Sequence, residues 1–383
     1  MQGWLRGFQP RTTPISNDFK TVGTKKDARL GTITLMQELT HGELVFAKEQ
    51  IATNETEFVS LKKECTERLE YNNPYRVEML DYSYAIEADG INNKVVRVKQ
   101  YFRFPEYDME QEIQHRREKC FYYNGQELLQ CAYQILLGLA EIHENLESHD
   151  NLRPCFIERE EGTFFPFFRL IDPPSNQNVL ETHQKYMERG SPLYCSPQIF
   201  YCTLSGEMNI GDTRKNDAFS LGLCLLEAGT LLDIQQIYDP NSKLINPGFL
   251  SQYIAKFSER YEQENPLLCQ IVEFLLTISV SDRPTPKTLL DALPKYQTIV
   301  ESTTEEKLKK LREEYLAKSA SLSEKYKGMD KERNTRLNIH MGVTETVGMN
   351  LRPQDLIPGF AADAAELKYF QSSNNAANVG SCL

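Results

Sequence analysis

Six histidines and nine cysteines are the side chains of this chain best suited to metal or nucleophilic work. Their spacing argues against both. No two cysteines form a C-x-x-C pair, and no cysteine–histidine set has zinc-finger spacing. An odd, scattered set of thiols reads as reduced cysteine in a cytosolic-type compartment. Other reactive groups cluster more suggestively. Ser148-His149-Asp150-Asn151-Leu152-Arg153-Pro154 gathers an imidazole, a carboxylate, an amide and a guanidinium within seven positions. Leu170-Ile171-Asp172-Pro173-Pro174 sets a carboxylate before two prolines, which fix φ and remove amide donors. Lys48 ends an apolar run, Val45-Phe46-Ala47, and Glu64 lies on the helical stretch that follows. By type alone these groups suit anion binding and acid–base work. Each also has an ordinary reading: Lys48 and Glu64 as solvated charges, Asp172 as a turn residue, His149 as a buried structural imidazole.

The elements that must position these residues divide the chain. From Thr32 to Glu49, alternating or β-branched stretches flank His41-Gly42-Glu43, which predicts strand, turn and strand. Asn54 with Glu57 makes a capping-box-like start for a helix to about Tyr71, with Phe58, Leu61, Cys65 and Leu69 on one face. Strands are predicted over Arg76–Glu87 and Lys94–Phe104. After Asn124 the pattern is helical. Leu129, Tyr133, Leu136, Leu137 and Ala140 form one broad apolar face, and Asn216–Leu232 is apolar nearly all round. A strand-rich part before a helical part implies an α+β chain with two lobes. Beyond Thr298, Ser302 and Glu305 cap a charged helix with a thin stripe of Leu308, Leu311, Tyr315 and Leu322. The last forty residues read as an extended tail.

Charge narrows the function classes. The net charge is −11, with +4 in residues 1–30, zero in 301–383 and −15 between them. Phosphate-backbone binding rests on Lys and Arg, so nucleic acid is a poor partner. No apolar run approaches a membrane span, and no secretory signal is expected at the start.

Several short stretches, in order and at suitable distances, resemble the protein kinase family, the serine/threonine branch in particular. Val45-Phe46-Ala47-Lys48 looks like the strand whose lysine holds ATP phosphates. Glu64 suits its acidic partner, ten residues before Pro74 in Asn72-Asn73-Pro74-Tyr75. Ser148–Pro154 looks like the catalytic loop and Asp172 sits where the metal-binding D-F-G turn belongs. Gly190–Gln198 resembles the end of an activation segment. Asp217-Ala218-Phe219-Ser220-Leu221-Gly222 and Asp282-Arg283-Pro284-Thr285 match two landmarks of the helical lobe. The resemblance implies a small lobe over 19–105 and a large lobe over 106–298. Residues 1–18 remain as an arm, 299–341 as a charged helix and 342–383 as a tail.

The same resemblance implies that the chemistry is disabled. Asn151 falls at the position of the catalytic aspartate, and an amide is no base near neutral pH. Phe156 falls where the magnesium-binding asparagine belongs, and a phenyl ring offers a hard cation no oxygen. Lys26, Ala28 and Gly31 fall at the three phosphate-loop glycines, so only Gly31 matches. Glu158 falls near the apolar floor under adenine, where an unpaired carboxylate is costly. Lys48, Glu64, Asp172 and Gly31 remain as remnants of a nucleotide site. His149, Asp217 and Arg283 are expected to be structural, Asp217 bonding loop amides and Arg283 meeting Gln198. The expectation is a pseudokinase scaffold with no cofactor or metal, ATP and magnesium binding being doubtful. The alternative is a divergent kinase or ATP-binding switch using Lys48, Glu64 and Asp172. Protein partners are expected through the arm (Trp4, Phe8) and the C-terminal helix and tail (Leu308, Leu311), unless these fold back on the domain. The expected setting is the cytoplasm, with a cytoskeletal or ciliary assembly as one possibility.

Overall fold

The computed structural model describes residues 5, 8–13, 18–27, 30–39, 42–70, 73–89, 93–144, 148–161, 166–173 and 178–295. Trp4, Ala28, Pro174, Leu308, Leu311 and the expected C-terminal helix and tail lie outside the described residues.

Five antiparallel strands build the small lobe: β1 (Phe19–Asp27), β2 (Gly31–Glu38), β3 (Leu44–Ala52), β4 (Met79–Asp89) and β5 (Asn93–Arg103), in the order β1-β2-β3-β5-β4. Gly31 takes φ 78° where β1 turns into β2, a backbone region glycine enters without strain. Helix α1 (Glu55–Glu70) crosses from β3 to β4. Asn54 Oδ1 accepts the Glu57 amide at 2.9 Å, while Glu57 Oε2 accepts the Thr53 amide at 2.7 Å. Two orphan donors at the helix start are thereby satisfied. Cys65 is buried on the inner face of α1, and Phe58, Leu61 and Leu69 pack beside it, as the predicted face requires.

Two segments differ from expectation. Strand β1 carries the polar sequence FKTVGTKKD, which has no period-2 apolar signal because it forms the sheet edge. The strand predicted from Arg76 begins only at Met79. Arg76 instead makes an isolated parallel bridge with Leu170 of the large lobe, so the chain there ties the lobes together.

The described residues of the N-terminal arm pack on their own domain, the alternative outcome for Phe8. Leu5 is buried, and Phe8 lies 5.3 Å from the Phe58 ring and 5.5 Å from the Tyr84 ring. Arg11 exchanges backbone hydrogen bonds with Tyr84 at 3.1 and 3.0 Å. Its guanidinium meets Asp81 at 2.7 Å and lies 3.9 Å over the Tyr82 ring. Phe8 is thus part of the small-lobe packing rather than an exposed anchor.

The large lobe holds α2 (Met109–Lys119), α3 (Gly125–Glu144), a hairpin of β6 (Ile157–Glu160) and β7 (Phe167–Leu170), α4 (Val179–Glu188), α5 (Pro197–Ser205), α6 (Thr213–Thr230), α7 (Pro247–Tyr261), α8 (Pro266–Leu275) and α9 (Pro286–Ala292). Helices α5, α7, α8 and α9 each start with a Ser, Asn or Thr cap followed by proline. The cap side chain accepts an orphan amide, and proline has no amide to orphan. Every residue of α6 from Asn216 to Thr230 is buried. A Cβ on Gly229 would come within 2.2 Å of the Phe257 ring, so glycine sets how closely α6 and α7 approach. This is an α+β, two-lobed, kinase-like fold.

Candidate functional site

The catalytic-loop segment hangs from one buried carboxylate. Asp217, on the central helix α6, accepts the His149 amide at Oδ2 and the Asp150 amide at Oδ1, both at 2.8 Å. The imidazole of His143 meets Oδ2 at 2.9 Å. His149 is buried, its Nε2 2.9 Å from the Ile171 carbonyl oxygen, which ties the loop to the segment carrying Asp172. Burial lowers the pKa of His149, so a neutral ring donating to that carbonyl fits the site.

Phe156 is 1% exposed and packs edge-on to His149 with centroids 5.4 Å apart. Its side chain belongs to the core. Asn151 is buried, and its Nδ2 donates to the Tyr186 hydroxyl at 3.3 Å. Tyr186 lies on α4, which covers the loop. The guanidinium of Arg153 stacks 3.8 Å over the same tyrosine ring and donates to the Pro192 carbonyl. His183, also on α4, is 3.3 Å from the Asp150 carbonyl oxygen. The loop side chains thus face packed protein on several sides.

Asp172 is gripped by two arginines. Arg68 from α1 donates to Oδ2, and Arg76 reaches Oδ1 through Nη2 at 2.9 Å and Nε at 3.3 Å. Arg68 also holds the Val77 carbonyl at 2.9 Å, and Arg76 also pairs with Glu141 at 3.0 Å. Burial would push the Asp172 carboxyl up, but Arg68 and Arg76 overcome it and hold the pKa well below the ordinary carboxylate range. Arg68 itself is pushed down, chiefly by burial and then by Arg76. Two guanidinium groups use the oxygens that a hard cation would otherwise take.

Lys48 points into the same region. Its Nζ donates to the Pro173 carbonyl at 2.9 Å. Burial lowers its pKa, while Asp172 and, more weakly, Glu64 pull it upward. Glu64 sits on an exposed position of α1, within electrostatic reach of Lys48 and Arg68.

Where the resemblance places adenine, the structure has an ion-pair ladder. Glu158 on β6 is 2% exposed. Arg103, at the end of β5, donates to both Glu158 oxygens, at 2.9 and 2.8 Å. Arg169 on β7 approaches Glu158 at 3.5 Å and also pairs with Glu160. The expected cost of an unpaired carboxylate is therefore met by Arg103 and Arg169. Burial still raises the Glu158 pKa against the pull of Arg103. The pair also stitches the last sheet strand of the small lobe to the hairpin of the large one.

Arg283 is 1% exposed. Its guanidinium donates to the carbonyls of Thr277 (2.7 Å), Lys215 (3.0 Å) and Ile278 (3.0 Å), and to Gln198 Oε1 at 3.4 Å. It sits 4.6 Å from the Phe219 ring centroid and acts as a structural rivet. Four arginines hold this region in roles the sequence did not point to: Arg68, Arg76, Arg103 and Arg169. One signal was available for Arg68, which lies four residues after Glu64 and so shares its side of the helix. A helix arginine is otherwise a surface residue by type, which hides such a role.

No known family profile matches the chain. Over 159 residues, 41% of its length, it is 26% identical to the membrane-associated tyrosine- and threonine-specific cdc2-inhibitory kinase wee-1.3 of Caenorhabditis elegans. The chain is kinase-like. The matched segment is 21% of that relative's length, so the kinase-like likeness concerns the domain and not the whole relative. Among the described residues of the kinase-like chain, no group of three or more His, Cys, Asp or Glu is placed to hold a metal ion. No described helix is long and apolar enough to cross a membrane.

Proposed function

We propose that this kinase-like domain transfers no phosphate and serves as a protein-binding scaffold. The observation that carries the reading is the double arginine grip on Asp172. Phosphoryl transfer depends on metal ions that neutralise charge on the transferring group, and on groups that position ATP. A carboxylate already holding two guanidiniums gives up some of those hydrogen bonds to bind magnesium, which weakens the pairing of sheltered Arg68 and leaves Arg76 leaning on Glu141. The Arg103–Glu158 pair weighs the same way, because polar groups stand where an adenine ring needs an apolar floor. Asn151 offers no base and Phe156 no metal ligand at the positions the resemblance assigns them.

The work left to such a domain is contact with other proteins. The material for it lies in the arm around Trp4 and in the C-terminal extension with Leu308 and Leu311. The proposed setting is a larger assembly in the cytoplasm, without nucleic acid or membrane as partner and without a bound cofactor.

The test is thermal unfolding and phosphate transfer with millimolar ATP, with and without magnesium. The expected outcome is an unchanged melting temperature and transfer at background. A ligand at a hundred times its dissociation constant stabilises the fold by ~2.7 kcal/mol. A magnesium-dependent shift of that size, lost in Asp172→Ala, replaces this reading with the ATP switch. Phosphate transfer lost in Lys48→Ala replaces it with a divergent kinase.

A further inference from the structure

We propose that the groove between α3 and α9 is the docking site of this chain's own segment 307–312. The groove has a volume of about 580 Å³, a size that accommodates several side chains. Its apolar surface comes from Tyr133, Leu137, Ala140 and Leu290, and Glu141 and Glu144 stand along it. Tyr133 donates to the Pro294 carbonyl at 3.0 Å, which pins the chain beside the groove as it leaves α9. Lys295, the last described residue, lines the groove as well.

Two of the carboxylates lack full compensation. Glu141 pairs with Arg76 through Oε1, but its Oε2 is buried with no hydrogen-bond partner among the described residues. Glu144 is exposed and has no ion pair among them. An occupant with apolar side chains flanked by cations fits this lining. Lys307-Leu308-Lys309-Lys310-Leu311-Arg312 has that composition, two leucines three positions apart among four basic residues. At helical spacing the leucines share a face.

The tether decides between this segment and a foreign one. Twelve residues separate Lys295 from Leu308, a span of up to about 45 Å when extended, ample for a return to the groove. A short flexible linker gives an effective concentration in the millimolar range. Even a groove affinity of about 100 μM would then leave the docked form roughly tenfold favoured. The thin stripe that the sequence leaves uncovered thus finds its cover in cis, and a partner reaches Leu308 and Leu311 only in competition with the groove. This inference does not depend on the catalytic reading, since nucleotide takes no part in its test.

The experiment is amide hydrogen exchange on the full chain at several concentrations, comparing wild type with Leu308→Asp/Leu311→Asp. Peptides over 286–295 and the C-terminal turns of α3 are expected to exchange about tenfold faster in the variant, while buried α6 stays unchanged as the folding control. Lys307→Glu/Lys310→Glu should loosen the same peptides, and adding Glu144→Lys should restore much of the protection. Exchange identical in wild type and both variants overturns the proposal. Protection that grows with protein concentration, with a dimer in sedimentation, assigns the groove to a second copy and overturns it equally.

Discussion

Asp217 and Asp172 are both sheltered aspartates at the centre of the same lobe, and they are used in opposite ways. Asp217 accepts two backbone amides and an imidazole, so it shapes the loop that follows α3. Asp172 accepts two guanidiniums brought by α1 and by the segment before β4, so it joins the small lobe to the large. In a kinase-like architecture the first arrangement is scaffolding, and the second stands where metal chemistry is expected. The contrast teaches that one kinase-like fold can use a sheltered aspartate either to hold backbone amides or to hold two guanidiniums from the other lobe.

The largest effect should follow from breaking that clamp. Asp172→Asn keeps the shape but removes the charge, so sheltered Arg68 loses its carboxylate partner and Arg76 keeps Glu141 alone, at a cost of about 3–5 kcal/mol. Asp217→Asn keeps one acceptor for the backbone amides and should cost about 1–3 kcal/mol. Urea unfolding of the two variants measures the difference. The sign of the pH dependence sharpens it. The Asp172 pKa is depressed in the folded state. Its contribution is therefore complete above the unfolded carboxyl value near 3.9 and is lost as pH falls below it. An Asp172→Asn variant as stable as wild type at pH 7 would erase the contrast.

The second prediction concerns the other ion pair between the lobes. Arg103→Ala leaves the buried Glu158 with Arg169 at 3.5 Å as its remaining partner, and about 2–3 kcal/mol of stability should go. Replacing both members, Arg103→Leu with Glu158→Leu, removes the desolvated charges together and should recover most of that loss. A double-mutant cycle by thermal unfolding checks the coupling. A cycle showing no coupling would reduce the pair to two independent charges. The apolar pair should still bind no ATP, since the Asp172 clamp is untouched.

Much of this fold was legible in the sequence, for identifiable reasons. Helix α1 announced itself through Asn54, Glu57 and a face of Phe58, Leu61, Cys65 and Leu69, because a cap and a 3.6 period are local signals. The buried helix α6 was legible because only a fully enclosed helix is apolar all round. Strand β1 was not, since an edge strand of Lys and Thr has no alternation to read. The candidate site divides similarly. Asp217, Arg283 and Gln198 could be placed because the resemblance assigns each of these landmarks its partner, although the partners lie 67 to 85 residues away. The clamp could not, because Arg68 and Arg76 reach Asp172 across about a hundred residues of chain, and nothing in either neighbourhood encodes that meeting. The arm shows the same limit: aromatic and basic residues suit a partner's groove or the chain's own lobe equally, and only the packing of Phe8 on Phe58 and Tyr84 decides.

A third aspartate lies beside Asp217 and gives the smallest predicted effect. Asp150 has φ 58°, in the left-handed region, and its Oδ1 is buried with no hydrogen-bond partner among the described residues. Burial, with Asp217 nearby, raises its pKa to about 6, against the pull of the Ser148 hydroxyl. A carboxyl raised in the folded state works against folding above its unfolded value near 3.9, fully so above about 6, and the penalty fades as pH falls back toward that unfolded value. Asparagine tolerates the left-handed backbone and carries no charge. Asp150→Asn should therefore stabilise the protein at pH 7.5 by about 1–2 kcal/mol, allowing for the residue's partial exposure. The gain should shrink toward zero near pH 4. His183, lowered to about 4 by burial, pulls the other way, because its neutral folded form is penalised as the unfolded chain takes up protons below about 6.5. The total pH profile mixes both groups, whereas the difference between variant and wild type isolates Asp150. Guanidinium unfolding of the two proteins across pH 4 to 7.5 provides that difference. A variant less stable than wild type at pH 7.5 would show that Asp150, like Asp217, is held by its surroundings as a useful charge.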